Sequence, residues 1–195
     1  MKHIALAAVA ALGLSAVAAP ANAAVFAWNI EYTGWWEEEG GGSLLGTISA
    51  REEDAADGIV SFDELLSWVW DWTGNTVMPA FSISSAEGGV TDFNPSFYID
   101  GRTNLPLLDG VDQDGLDQGV FESATGDRAL DLNALFVTSF DENLVESLST
   151  GDATAALGTV AVSDPTPVPE PATVLGLVAL VGVGAATLQR QKQAA

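Results

Sequence analysis

The chain has 195 residues, of which 27 are acidic and six are Lys or Arg, for a formal charge of −21. Of the acidic residues, 26 lie between Ala24 and Asp164, where only Arg51, Arg102 and Arg128 oppose them, so this stretch repels phosphate backbones and acidic polymers and nucleic acid is excluded as a partner. There is no cysteine and the one histidine is His3, which excludes serine–histidine and cysteine–histidine catalysis and the usual zinc sites from the rest of the chain.

The amino-terminal segment reads as an export signal. Lys2 and His3 give a short basic start, Ile4 to Ala19 an apolar run, and Ala21-Asn22-Ala23 the small-x-small pattern of a cleavage site. Residues 1–23 are therefore expected to leave with signal peptidase after Sec export, with Ala21 and Ala23 as the small positions and Ala24 as the new amino terminus. An exported domain without cysteines is held by its core alone.

From 24 to 163 the dominant period is two. Phe26, Trp28, Ile30 and Tyr32 share one side of an extended "VFAWNIEY". Further strands are predicted in "SLLGTISA" from Ser43, "VMPAFSIS" from Val77, "SFYID" from Ser96, "GVFESA" from Gly119, "ALDLNALFVTSF" from Ala129 and "GTVAVSD" from Gly158. Turn chemistry separates them at Gly40–Gly42, Thr73–Asn75, Glu87–Gly89, Asp100–Asn104 and Thr125–Asp127. The stretch from Asp63 to Trp72 fits either a strand presenting Leu66, Trp68, Trp70 and Trp72 or a helix, and its aromatic content favours the strand. "LVESL" from Leu144 is compatible with a short helical turn. Many short strands with frequent turns predict an all-β, antiparallel sandwich or barrel-like domain.

Two features of this body suggest ligands. Trp35 and Trp36 are sequence neighbours, and in an extended chain neighbours point to opposite faces, so at least one is expected at the surface as a platform for stacking a sugar of a polysaccharide. "EDAADGIVSFDE" aligns on a calcium loop through Asp57, Gly58, Ser61 and Glu64, although Ala55 stands where an oxygen ligand is needed. The Asp-rich, Gly-bent run from Asp109 to Gly119, with Asp112 and Asp114, has a similar character. No other cofactor is indicated. Paired carboxylates could hydrolyse glycosides, but among 26 of them no pair is singled out by sequence, and the chain is read as a non-enzyme.

The tail has three parts. Residues 164–171 form a proline-rich linker, which cannot form a helix or a central strand. Residues 172–188 are uncharged and would make roughly 25 Å of helix, near the lower limit for a bilayer span. Residues 189–195 carry Arg190 and Lys192, which the positive-inside rule retains in the cytoplasm.

The order of Val168, Pro169, Glu170 and Pro171, a Gly-containing apolar run and a basic end resembles the PEP-CTERM sorting signal. That resemblance covers about the last 25 residues, and here the basic end is "QRQK" rather than an arginine cluster. It implies an exosortase-type membrane enzyme as partner, transient anchoring in the inner membrane, and delivery to the cell surface or extracellular matrix, often beside exopolysaccharide. The expected function is a surface or matrix component, and the alternative is a polysaccharide- or calcium-binding module.

Overall fold

In the computed structural model, residues 24–92, 94–105, 116–143, 145–151 and 157–169 are described. The period-two pattern becomes thirteen strands among these residues, all paired antiparallel. They are β1 (Val25–Thr33), β2 (Ser43–Arg51), β3 (Ile59–Ser61), β4 (Ser67–Trp72), β5 (Phe81–Ser84), β6 (Gly88–Asp92), β7 (Ser96–Tyr98), β8 (Val120–Ser123), β9 (Arg128–Asp131), β10 (Phe136–Phe140), β11 (Glu146–Thr150), β12 (Thr159–Val162) and β13 (Thr166–Val168). One sheet runs β12-β1-β2-β4-β5, with β13 on the same edge of β1 as β12. A second runs β11-β10-β9-β8-β6, and β3 pairs with β7 as a small third sheet.

The two large sheets meet through aromatic side chains, an arrangement that fits a β-sandwich. From the first sheet, alternation turns Trp28, Ile30 and Tyr32 of β1 and Trp68, Trp70 and Trp72 of β4 inward. From the second come Phe121, Leu130 and Val137, and Phe97 adds the small sheet. The contacts between them are close: Trp68 lies 4.8 Å from Phe121 between ring centroids, and Trp70 lies 5.4 Å from Phe121 and 5.8 Å from Phe97. Every one of the six tryptophans is buried.

A glycine makes this layer possible. Gly46 of β2 stands in register between Ile30 and Trp70, and a Cβ placed on it would run into the six-membered ring of Trp70. The indole thus lies over bare backbone, which only glycine allows here.

Trp35 and Trp36 depart from expectation, since both are buried, at 4% and 1% exposure. The rule of opposite faces fails because the chain is no longer extended there: Gly34 takes φ +93°, the two tryptophans occupy a bend, and a 3-10 turn follows at Glu37–Glu39. Trp35 packs 6.2 Å from Tyr32, and Trp36 meets Trp72 edge-on at 4.9 Å. The bend is tied across the molecule by Glu39, whose carboxylate accepts from the Thr150 hydroxyl and from the Gly151 N–H at 3.2 Å.

Other boundaries moved too. The run from Ala129 divides into β9 and β10, because Asp131 Oδ1 accepts the N–H groups of Asn133 and Ala134 and Leu135 adopts φ +52°, closing a turn. "LVESL" supplies most of an edge strand rather than a helical turn. Gly88 and Gly89, expected in a turn, begin β6, and the strand expected from Val77 starts only at Phe81. β13 carries the first sheet into the segment expected as linker. Its Pro167 faces Phe26 on an outer edge, where a missing N–H is tolerated. Among the described residues no helix is long and apolar enough to cross a membrane, and the expected signal at 1–23 and span at 172–188 lie outside them.

Gly46→Ala should lower stability by about 1–3 kcal/mol, the usual cost of overpacking a core, read as a melting temperature roughly 2–10 °C lower. The turn before β9 gives a second test. Hydrogen bonds from Thr125 and then Ser123, with Arg128 close by, hold the Asp127 carboxyl below the ordinary range. A depressed folded-state pKa adds stability above the unfolded value and loses it as pH falls through the folded one. Asp127→Asn should therefore melt earlier than the parent at neutral pH, and melting curves at successively lower pH should converge below about pH 4.

Candidate functional site

A cleft of about 500 Å³ opens at the end of the molecule where β1 begins. That volume falls within the range of small-molecule sites. Its walls come from four places in the chain: Phe26 and Trp28 of β1, the loop Glu52–Gly58 after β2, Ile99 and Asp100 after β7, and Pro165 before β13.

Each wall has a local cause. Phe26 and Trp28 share the inward side of β1, but at the strand's start the core thins, so Phe26 is only half-buried while Trp28, with ring centroids 6.3 Å away, is nearly closed over. The loop is wound by backbone bonds from Asp54 and Ala55 to the Arg51 carbonyl and from Gly58 to the Ala55 carbonyl. Gly58 ends the turn at φ +83°, and a Cβ there would strike the Asp100 carboxylate. The pairing of β3 with β7 brings the second loop alongside, and the Ile99 N–H donates to the Gly58 carbonyl at 3.0 Å.

The rim is acidic with one cation. Arg102 Nε donates to both Asp100 oxygens at 2.9 Å, Nη2 donates to the Asp57 carbonyl at 3.1 Å, and the guanidinium sits 4.3 Å above the Tyr98 ring. These bonds hold the Asp100 carboxyl below its ordinary range and raise the guanidinium pKa. Asp57 Oδ1 accepts the Ile59 N–H at 2.9 Å. The Glu52 side chain has no hydrogen-bond or ion-pair partner among the described residues, while its N–H donates to the Ala24 carbonyl at 2.8 Å.

The cleft also lies where β1 and β13 meet. Val25 pairs with Val168 and Phe26 with Pro167, so the start of β1 and β13 lie side by side here.

The residues singled out by sequence fall differently. Asp57 lines the cleft. Ser61 and Glu64 are occupied with each other in a capping box around the 3-10 turn Phe62–Glu64, where the Ser61 N–H donates to Glu64 Oε2 at 2.8 Å. The twelve-residue alignment thus divides into a cleft wall and a helix cap instead of closing around one point. Among the described residues no three His, Cys, Asp or Glu side chains gather as a group able to hold a metal ion. Trp35 and Trp36, buried in the core, have almost no surface on which a sugar could stack. Ala24 and Val168 flank the cleft end, whereas Ala21, Ala23, Asp112, Asp114, Glu170 and Pro171 lie outside the described residues. Glu52, Ile99 and Pro165 carried no motif. Asp57 and Gly58 of the acidic loop, and the turn beginning at Asp100, were the parts of this place that the sequence marked.

No protein-family model, no curated protein and no solved structure matches the chain.

Gly101 provides a control for the loop. It has φ +90° and open space around its missing Cβ, so Gly101→Ala costs only left-handed strain, about 1–2 kcal/mol. Gly58→Ala carries that strain and the collision with Asp100, and should melt measurably lower than Gly101→Ala. Equal melting temperatures would show that Asp100 does not hold the loop.

Proposed function

We propose that the chain is an exported, non-catalytic β-sandwich protein of the cell surface or extracellular matrix, anchored transiently in the inner membrane and sorted through its tail by an exosortase-type enzyme. The observation that supports this reading most directly is the pairing of β13 with the start of β1. It sets Val25 beside Val168 at one edge of one sheet, which supports a body whose two proposed membrane-directed segments meet the membrane at a single end. The order of elements in the tail, with Pro169, Glu170 and Pro171 before an uncharged run and a basic end, supports the sorting partner. A body held only by its core and bearing a large negative charge suits a surface component, because like charge keeps exported copies apart and soluble. Exopolysaccharide is the proposed surrounding.

A binding module is the second reading, favoured by the cleft. The two are compatible, since sorting resides in the tail and binding in the body.

Fractionation of the producing cells, followed with an antibody to the body, tests the first reading. Secreted protein should begin at Ala24. Glu170→Ala should remain in the inner membrane, because the motif is lost while the apolar run stays. Deletion of residues 172–195 should release the body into the periplasm. Surface delivery of both variants would overturn the sorting role.

A further inference from the structure

We propose that the chain cuts its own backbone in mild acid at the bond between Asp164 and Pro165, through attack of the Asp164 side chain on its own main-chain carbonyl. The cut itself does not rest on export or sorting.

The sequence offers this bond once, since among the prolines only Pro165 follows an aspartate. A prolyl nitrogen belongs to a tertiary amide, more basic and more easily expelled than a secondary one, and an aspartyl carboxyl reaches its own carbonyl carbon by closing a small ring. The fold adds a donor. Asp164 and Pro165 are exposed in the connection between β12 and β13, and the Asp164 side chain has no hydrogen-bond or ion-pair partner among the described residues. Its main-chain carbonyl does have one, because the Ser163 hydroxyl donates to it at 3.0 Å. Ser163 is held twice by β1: the Asn29 N–H donates to Ser163 Oγ at 2.9 Å, and the Ser163 N–H donates to the Asn29 carbonyl at 2.9 Å. The bonds from Asn29 to Ser163 Oγ and from that hydroxyl to the Asp164 oxygen run in series, so they polarise the one carbonyl that must be attacked.

The step needs only a proton and water. An Asp164 carboxyl oxygen bonds to the main-chain carbon, and the negative charge developing on the carbonyl oxygen is met by the Ser163 hydroxyl. The C–N bond to Pro165 then breaks, the carboxyl proton passes to the prolyl nitrogen, and a cyclic anhydride remains on Asp164. Water opens the anhydride, leaving two carboxyl groups on Asp164 and a secondary amine on Pro165. Pro165 lines the cleft, which admits water and carries Glu52, Asp57 and Asp100 on the same lining, and Glu31 stands opposite Ala161 on β1. Their negative field favours the ammonium formed there. After the cut, β13 is held through its short ladder with Val25, Phe26 and Ala27, so residues 165–195 can dissociate. On the reading of the tail proposed above, this frees the body without the sorting enzyme.

Intact-mass measurement of the purified full-length protein, incubated at about pH 5, the upper edge of the range in which carboxyl groups protonate, tests the proposal. Two fragments are expected, one ending at Asp164 and one beginning at Pro165, at a rate unchanged by protein concentration or by protease inhibitors. Asp164→Ala should abolish the cut, because it removes the nucleophile. Ser163→Ala should slow it about tenfold, the value of one hydrogen bond to a developing charge, and Ser163→Thr, which keeps the hydroxyl, should restore the rate. Unfolding the parent in urea at the same pH should slow the cut as Ser163→Ala does, since the donor is then no longer placed. No fragment at this bond, loss of the cut with protease inhibitors, persistence in Asp164→Ala, or equal rates for the folded parent, the urea-unfolded parent and Ser163→Ala would each overturn the proposal. None of these outcomes bears on the fractionation of Glu170→Ala, which tests sorting separately.

Discussion

The indole of Trp70 resting on the backbone of Gly46 is the contact on which the architecture depends. Because no Cβ intervenes, the ring sinks toward β2 and still reaches Tyr32 at 6.0 Å, Phe97 at 5.8 Å and Phe121 at 5.4 Å. Those three residues belong to β1, the small sheet and the second large sheet, so one side chain touches every layer. In a domain without disulfides such convergence matters, because buried aromatic surface is what opposes the conformational entropy of the chain. The pairs Trp68–Phe121 and Trp36–Trp72 extend the same layer to either side.

Packing so many aromatics has polar consequences. Trp72 donates to the Met78 carbonyl at 3.3 Å and the Tyr32 hydroxyl donates to Gln118, but the indole N–H groups of Trp36 and Trp70 are buried with no hydrogen-bond partner among the described residues. Burial raises the Tyr32 pKa above its ordinary value, which keeps the hydroxyl a donor to Gln118. Gln118 then passes the link on, its side-chain amide donating to the Leu105 carbonyl at 2.9 Å and its N–H to Asn133 at 2.8 Å, so one buried glutamine joins the first sheet to two loops. Charge is handled separately at the surface: each of the three arginines of the body pairs with an aspartate close in sequence. Exposed pairs of this kind add little stability individually, and the remaining carboxylates repel one another.

How much of this was legible depended on whether the backbone stayed extended. Where it did, alternation identified the inward face, as in β1 and in the Trp68–Trp70–Trp72 row of β4. Leu66, assigned to that row, instead lies exposed in the bend before the strand, where period two no longer holds. Trp35 and Trp36 were misjudged for the same reason, since a positive φ at Gly34 resets the direction of both side chains. β11 was hard to read because an edge strand with exposed Glu146, Ser147 and Leu148 has little apolar alternation to show. The cleft was invisible for a different reason. Its walls are brought together by the pairing of β3 with β7 and of β1 with β13, contacts between strands of three residues or with a proline inside, which no local pattern announces.

That last pairing links the fold to the tail. β1 pairs on one edge with β2, which follows it directly in the chain, while its other edge takes β12 and β13, which stand more than 120 residues later. Such a long loop closes slowly, and until it closes the edge of β1 is an unpaired row of N–H and C=O groups. The outer edge of the first sheet is therefore complete only with residues 166–168 in place. The Glu52–Gly58 loop adjoins it, because Glu52 bonds to Ala24 and Pro165 forms the opposite wall of the cleft. On the proposed reading, a body whose first strand were displaced would lose its cleft and present its tail from a loose end, so correct folding, ligand access and orientation toward the membrane all follow from the same short ladder between Val25 and Val168.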